Sequence, residues 1–125
     1  MADKQFVFIL TAAESRPDLP AGALQLATNM KANDAVLDIF LMDEAALLAK
    51  PGYAEALAAR QKPGCFSPTH TLLRTLVEYF GVKLYVCASC VKPSGLDPAN
   101  LAFGAQVRPG SHLGELLQER EGLTF

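Results

Sequence analysis

Three stretches of this chain are apolar without alternating, and they limit the fold more than any other feature. Phe6-Val7-Phe8-Ile9-Leu10 is unbroken, the run Ala35–Met42 is interrupted only by Asp38, and Leu84-Tyr85-Val86 follows the turn residue Gly81. A strand with one wet face alternates polar and apolar residues. A continuous run belongs to a strand covered on both faces, which in practice means a parallel sheet between helices. The segments between the runs fit that reading. Ala23, Leu26, Ala27 and Met30 recur at helical spacing, with Leu24 widening the stripe. Leu72, Leu73, Leu76, Val77 and Phe80 form the clearest helical stripe in the chain. Strand and helix alternate throughout, which predicts an α/β three-layer α/β/α sandwich with right-handed crossovers and one domain over residues 1–125.

Punctuation residues predict the element ends. Asp43 is expected to cap a helix over Glu44–Ala49, and Tyr53–Arg60 to add a further turn or two. Ser67 before Pro68 reads as a cap followed by proline at the first helical position. Ala105–Arg108 reads as a fourth strand. Ser111 then caps a last helix with Leu113, Leu116 and Leu117 on its inner face. Gly122 closes that helix, and Leu123–Phe125 adds an edge strand.

Charge and hydropathy narrow the function classes. The net charge is −2, with no cluster of Lys and Arg interleaved with aromatics, so nucleic acid is not expected as the main partner. The apolar runs fall well short of the roughly 20 residues a membrane span needs, so no membrane partner is expected. The N-terminal MADKQFVFIL reads as the approach to a first strand and not as a signal peptide. Three cysteines cannot make a closed disulfide set within one chain. That points to a reducing compartment, the cytoplasm, with the cysteines serving chemistry or the core.

Two of those cysteines lie in Lys83–Asn100, KLYVCASCVKPSGLDPAN. A short strand delivers Cys87 at its carboxyl end, and Cys90 follows three residues later. Pro93 and Gly95 cut short any helix after them. In α/β proteins the carboxyl ends of the strands are where sites assemble. The brief turn after Cys87 is expected to aim backbone N–H groups at its sulfur and lower its pKa, which favours the nucleophilic thiolate. The same residues also suit a blander role, since free cysteine is among the most buried residue types.

The hydrophobic strand, Cys87, seven residues, Gly95 and then an acidic residue with a small helix resemble the DsrE/DsrF/TusD group. The resemblance runs on through Phe6–Leu10, DAVLDIFLMDEAALLA and GVKLYVC. Ser94 departs from it, standing where many members carry Arg. The resemblance implies a mainly parallel five-stranded sheet in order 4-3-2-1-5, and trimeric or hexameric assemblies. It also implies an intracellular sulfur carrier that accepts and passes on sulfur as a persulfide on Cys87. Its partners would be sulfur donor and acceptor proteins or small sulfane-sulfur compounds.

Other readings stand beside this one. Cys90 is either a resolving thiol that discharges Cys87 or a residue packed under the turn. The pair would also serve a thiol–disulfide redox protein, although Pro93 interrupts the long helix a thioredoxin-like motif has. A non-catalytic oligomeric subunit of a sulfur-relay complex is a further alternative. Cys65, in a loop with Pro63 and Gly64, reads as incidental. Cys65, Cys87, Cys90, His70 and His112 offer zinc ligands on paper, but only one close pair exists where structural zinc sites bring two. His70 and His112 read as surface residues near helix starts. No phosphate-cradling glycine pattern is present, so no cofactor and no metal are expected. Asp38 and Asp43 read as strand-edge and cap residues.

Overall fold

The computed structural model describes residues 4–125, so the start of the MADKQFVFIL stretch, residues 1–3, lies outside it. Five strands form one parallel sheet in the order β4-β3-β2-β1-β5. They are β1 (Gln5–Leu10), β2 (Val36–Leu41), β3 (Leu84–Cys87), β4 (Gln106–Arg108) and β5 (Glu121–Thr124). The helices are α1 (Asp18–Ala32), α2 (Tyr53–Ala58), α3 (Thr69–Arg74), α4 (Ala88–Val91) and α5 (Gly110–Glu119).

The unalternating runs become strands buried on both sides, as their composition requires. Phe8, Leu10, Leu37, Ile39, Leu41, Leu84 and Val86 point to one face and join the main core. There they meet Ala21, Ala23, Leu24 and Ala27 of α1, Leu57 of α2, and Leu72 and Leu73 of α3. Val7, Phe40, Tyr85 and Cys87 point the other way and meet Leu113 of α5. The connections β1→β2, β2→β3 and β3→β4 therefore all cross the first face, and only β4→β5 crosses the second.

Several ends are built differently from the sequence expectation, each for a local reason. The segment Asp43–Ala49 is 3-10 helix, capped by extended Met42 and not by Asp43. Asp43 itself is left-handed, with φ at 52°. The segment is instead tied down by Glu44, whose Oε1 accepts Ala13 N–H (2.6 Å), Ser15 N–H (2.7 Å) and Ser15 Oγ–H (2.9 Å). The hydrogen bonds of Ser15 and Ala13 outweigh burial and hold the Glu44 carboxyl below its ordinary pKa. The amino end of α3 is capped from across a loop and not by Ser67: Gln61 Oε1 accepts both Thr69 N–H and Thr69 Oγ–H, each at 2.8 Å. The stripe through Phe80 is α-helical only to Arg74 and continues as π-helix over Thr75–Tyr79. There Phe80 N–H reaches back to Thr75 O, at 3.2 Å.

The last helix starts at Gly110, one residue after Pro109, so Ser111 lies inside its first turn and does not cap it. Leu113 is buried, Leu116 half-buried, and Leu117 lies over β5 at the margin of that face, still 43% exposed. Gly122 does not end the helix but lies within β5. A Cβ there would come within 2.7 Å of Leu117 Cδ2, so a bare residue lets α5 lie against the sheet.

Candidate functional site at the switch point of the sheet

Connections leave the carboxyl ends of β1, β2 and β3 toward one face and leave β4 toward the other. The crevice between the ends of β3 and β4 is therefore the topological switch point, where parallel α/β sheets open to ligands. Cys87 is the last residue of β3, and its register partner across that crevice is Arg108, the last residue of β4. Both side chains belong to the α5 face, because residues paired in a sheet share a face. This neighbour could not be read from local sequence. Arg108 lies 21 positions after Cys87 and is brought beside it only by parallel pairing.

Arg108 forms no ion pair among the described residues. Its Nη1 donates to Val107 O (2.9 Å) and its Nη2 to Gln106 Oε1 (2.7 Å). The guanidinium lies 5.7 Å from the centre of the Tyr85 ring, a cation–π contact. His112, in the first turn of α5, meets the same ring edge-on at 4.8 Å between centroids. It is only 3.8 Å from Glu115, and its Nε2 is buried with no hydrogen-bond partner. His112 is thus a wall of the crevice and not the surface residue its position suggested. Burial, then the nearby Asp38 carboxylate, raise the Tyr85 phenol above its ordinary pKa, against the pull of Arg108 and Arg120. Tyr85 therefore stays a neutral hydroxyl at physiological pH.

The two thiols differ in setting. Cys87 is 5% exposed and caps the four-residue α4 with extended backbone. Its sulfur makes no cap hydrogen bond, so the N–H groups expected to converge on Cys87 do not do so. The backbone donor goes to Cys90 instead, whose Sγ accepts the Asp43 N–H at 3.2 Å. Cys90 is half-buried and packs against both hydrophobic clusters. Burial pushes its thiol up, and the adjacent Cys87 and Asp43 add to this, while the Asp43 N–H works against them.

The other candidate residues lie elsewhere. Cys65 is exposed, in the loop after α2 that folds onto the amino end of α1. His70 is the second residue of α3. The structure thus brings together Cys87 and Cys90, adds Arg108, Tyr85 and His112, and leaves Cys65 and His70 apart. Among the described residues no group of three or more His, Cys, Asp and Glu is placed to hold a metal. Nor is any helix long and apolar enough to cross a membrane.

Fold and site together define an α/β protein with a cysteine pair at the switch point of a five-stranded parallel sheet. The model of the DsrE/DsrF-like family matches residues 4–125, and the chain belongs to that family, which is associated with sulfur relay. Solved structures share the fold. The ychN protein of E. coli superposes with a TM-score of 0.76 at 20% identity, covering 99% of this chain and 100% of its own. A protein of unknown function from Methanobacterium thermoautotrophicum gives 0.69 at 15% identity, over 98% of this chain and 100% of its own. A conserved protein of unknown function from Bacteroides thetaiotaomicron gives 0.66 at 17%, over 98% and 95%. No curated protein matches the chain significantly.

Proposed function

We propose that this protein carries sulfur as a persulfide on Cys87, with Cys90 as the resolving thiol. The observation that carries the reading is the place of Cys87 at the mouth of the switch-point crevice, with Cys90 one helical turn on. The Cys87 thiolate attacks the sulfane sulfur of a donor. The new bond is Cys87 Sγ–S, the donor's S–S bond breaks, and the electron pair leaves on the donor's thiolate. An acceptor thiolate then takes the outer sulfur and returns Cys87 as a thiolate. Alternatively the Cys90 thiolate attacks the inner sulfur, which closes a Cys87–Cys90 disulfide and expels hydrosulfide. The partners are donor and acceptor proteins or small sulfane-sulfur compounds, and the setting is the cytoplasm.

The crevice suits an anionic sulfur species. Among the described residues no carboxylate pairs with Arg108, and the buried Nε2 of His112 has no hydrogen-bond partner. Neither element needs a metal or an organic cofactor for the transfer as written.

Sulfur loading tests the reading better than alkylation does. Cys65 is exposed and Cys87 nearly buried, so a general thiol reagent reports access and not chemistry. After treatment with a sulfane-sulfur donor, the Cys87 peptide should gain one sulfur atom, roughly 32 Da, through thiolate attack. Cys87→Ser should abolish the adduct, and Cys90→Ser should preserve it and lengthen its lifetime. An unmodified Cys87 in both wild type and Cys90→Ser would end the carrier reading. Disulfide exchange lost in both single variants, with no adduct, would instead favour a thiol–disulfide redox protein. Neither loading nor exchange would favour a structural subunit.

A further inference from the structure

Away from the cysteine site, the molecule holds a cavity of about 550 Å³ beside the carboxyl ends of β1 and β5. Its lining includes Arg16, Asp18, Gly22, Lys62, Phe66 and Phe125. It lies against α1, on the sheet face opposite Cys87, and β2 separates β1 from β3. At about 4.8 Å per strand spacing, that is about 10 Å of sheet.

The walls are held in place by contacts from three separate segments. Lys62 N–H donates to Asp18 Oδ1 at 2.9 Å and so draws the loop after α2 over the start of α1. Phe66 rests against that helix where Gly22 leaves it bare. A Cβ at Gly22 would stand 3.2 Å from two atoms of the Phe66 ring. That seat leaves Phe66 38% exposed, an uncommon state for a phenylalanine in fixed packing. On the other side, Phe125 stacks on Phe8 at 5.2 Å, and its carbonyl accepts both Thr11 N–H and Thr11 Oγ–H at 2.8 Å. Two aromatic walls from distant parts of the chain therefore face one space.

The rim carries two cationic side chains, Arg16 and Lys62. Arg16 and Lys62 form no ion pair among the described residues. The one side-chain carboxylate in the lining, Asp18, has an oxygen engaged by the Lys62 backbone. Among the side chains of the lining, two cations stand against one carboxylate. The fifteen-residue α1 begins here with no side-chain cap, and its dipole adds to the positive potential. Cavities of roughly 300–1,000 Å³ that combine apolar walls with a few placed charges are the usual form of small-molecule sites.

We propose that this cavity binds a small aryl anion, its ring between Phe66 and Phe125 and its carboxylate or sulfonate on Arg16 and Lys62. The proposal is independent of the persulfide reading, because no cysteine takes part.

The probe is 3-phenylpropionate, followed by amide chemical shifts in the intact protein, with 3-phenylpropan-1-ol and propionate as comparison ligands. The acid should give saturable shifts centred on Gly22, Lys62 and Phe66. The alcohol, which lacks the charge, and propionate, which lacks the ring, should each bind about tenfold or more weakly. Arg16→Gln combined with Lys62→Gln should weaken the acid about tenfold and leave the alcohol unchanged, while Phe66→Ala should weaken both. Two results on the wild type alone would overturn the proposal: no saturable shift at these amides up to about 10 mM, or equal binding of acid and alcohol.

Discussion

At the residue scale, the cysteine pair shows how one hydrogen bond divides two similar side chains. Cys87 was legible from the sequence as the thiol at a strand's carboxyl end. The destination of the nearby backbone donor was not legible, because that N–H comes from Asp43, on the 3-10 segment after β2. With burial as the main cause, the Cys90 thiol is held above its ordinary value, so near neutral pH it is protonated and slow to attack. That gives a loaded Cys87 time to meet an acceptor before Cys90 can close the disulfide. In a Cys65→Ser, Cys87→Ser background, the alkylation rate of Cys90 should therefore climb only above the ordinary thiol range. A mid-point at or below that of a free cysteine would show that the Asp43 N–H outweighs burial. The sign also runs through to the carrier. Disulfide closure in the wild type should speed up as pH rises through the Cys90 value, and persulfide lifetime should shorten with it.

At the element scale, α5 and β5 are fastened to the sheet by a buried charge pair that the sequence does not announce. Asp38 interrupts an otherwise apolar strand and reads as an edge residue. It is instead 8% exposed, and its Oδ2 meets Arg120 Nη1 at 3.1 Å, at the turn between α5 and β5. Arg120 Nη1 also lies 3.5 Å from Phe6 O, at the limit of a hydrogen bond, while its Nε has no partner. Removing one member of a buried pair strands the other charge, at a cost of about 3–5 kcal/mol. Arg120→Leu should lower the denaturation midpoint accordingly. Adding Asp38→Leu to it should recover most of the loss, because two apolar residues leave no stranded charge. A double variant as unstable as Arg120→Leu alone would show that the loss came from packing. The end of α1 is closed by its own backbone. Asp34 takes the left-handed turn, with φ at 64°. Ala35 N–H returns to Met30 O and Asp34 N–H to Lys31 O, both at 3.1 Å, so the helix closes as a Schellman motif.

At the scale of the whole molecule, the two faces of the sheet are unequally covered. The first face carries α1, α2 and α3 over a continuous core. The second carries α5, a ten-residue helix, over a smaller cluster, with Ile9, Met42 and Leu116 only partly buried at its margins. Leu117, which crosses above Gly122 of β5, remains 43% exposed. We expect this side to be completed by further copies of the chain, in line with the trimers or hexamers the resemblance implies, since identical chains close most readily with cyclic symmetry. Light scattering should return a mass of several protomers at micromolar concentration. A lone 13.4 kDa species over that range would exclude such an assembly.

The sequence alone determined the strands and their class. Runs such as Phe6–Leu10 are too apolar to leave a wet face, and the helical stripes between them leave a parallel sheet as the consistent answer. The resemblance carried by Cys87, Gly95 and GVKLYVC supplied the strand order before any coordinates did. Local signals failed where the partner lies beyond the neighbouring turn. Gln61 and not Ser67 caps α3, and Glu44 and not Asp43 secures the segment after β2. Gly122 is small because Leu117 crosses above it. The site divides along the same line. The thiols are neighbours in sequence and could be found there. Tyr85 precedes Cys87 by two on β3 and shares its face, whereas Arg108 and His112 join them only because parallel pairing sets β4 beside β3, and because α5 is the one connection that returns across the second face. Spacing along the chain encodes contacts one turn or one strand away, and those across the sheet exist only once the sheet has formed.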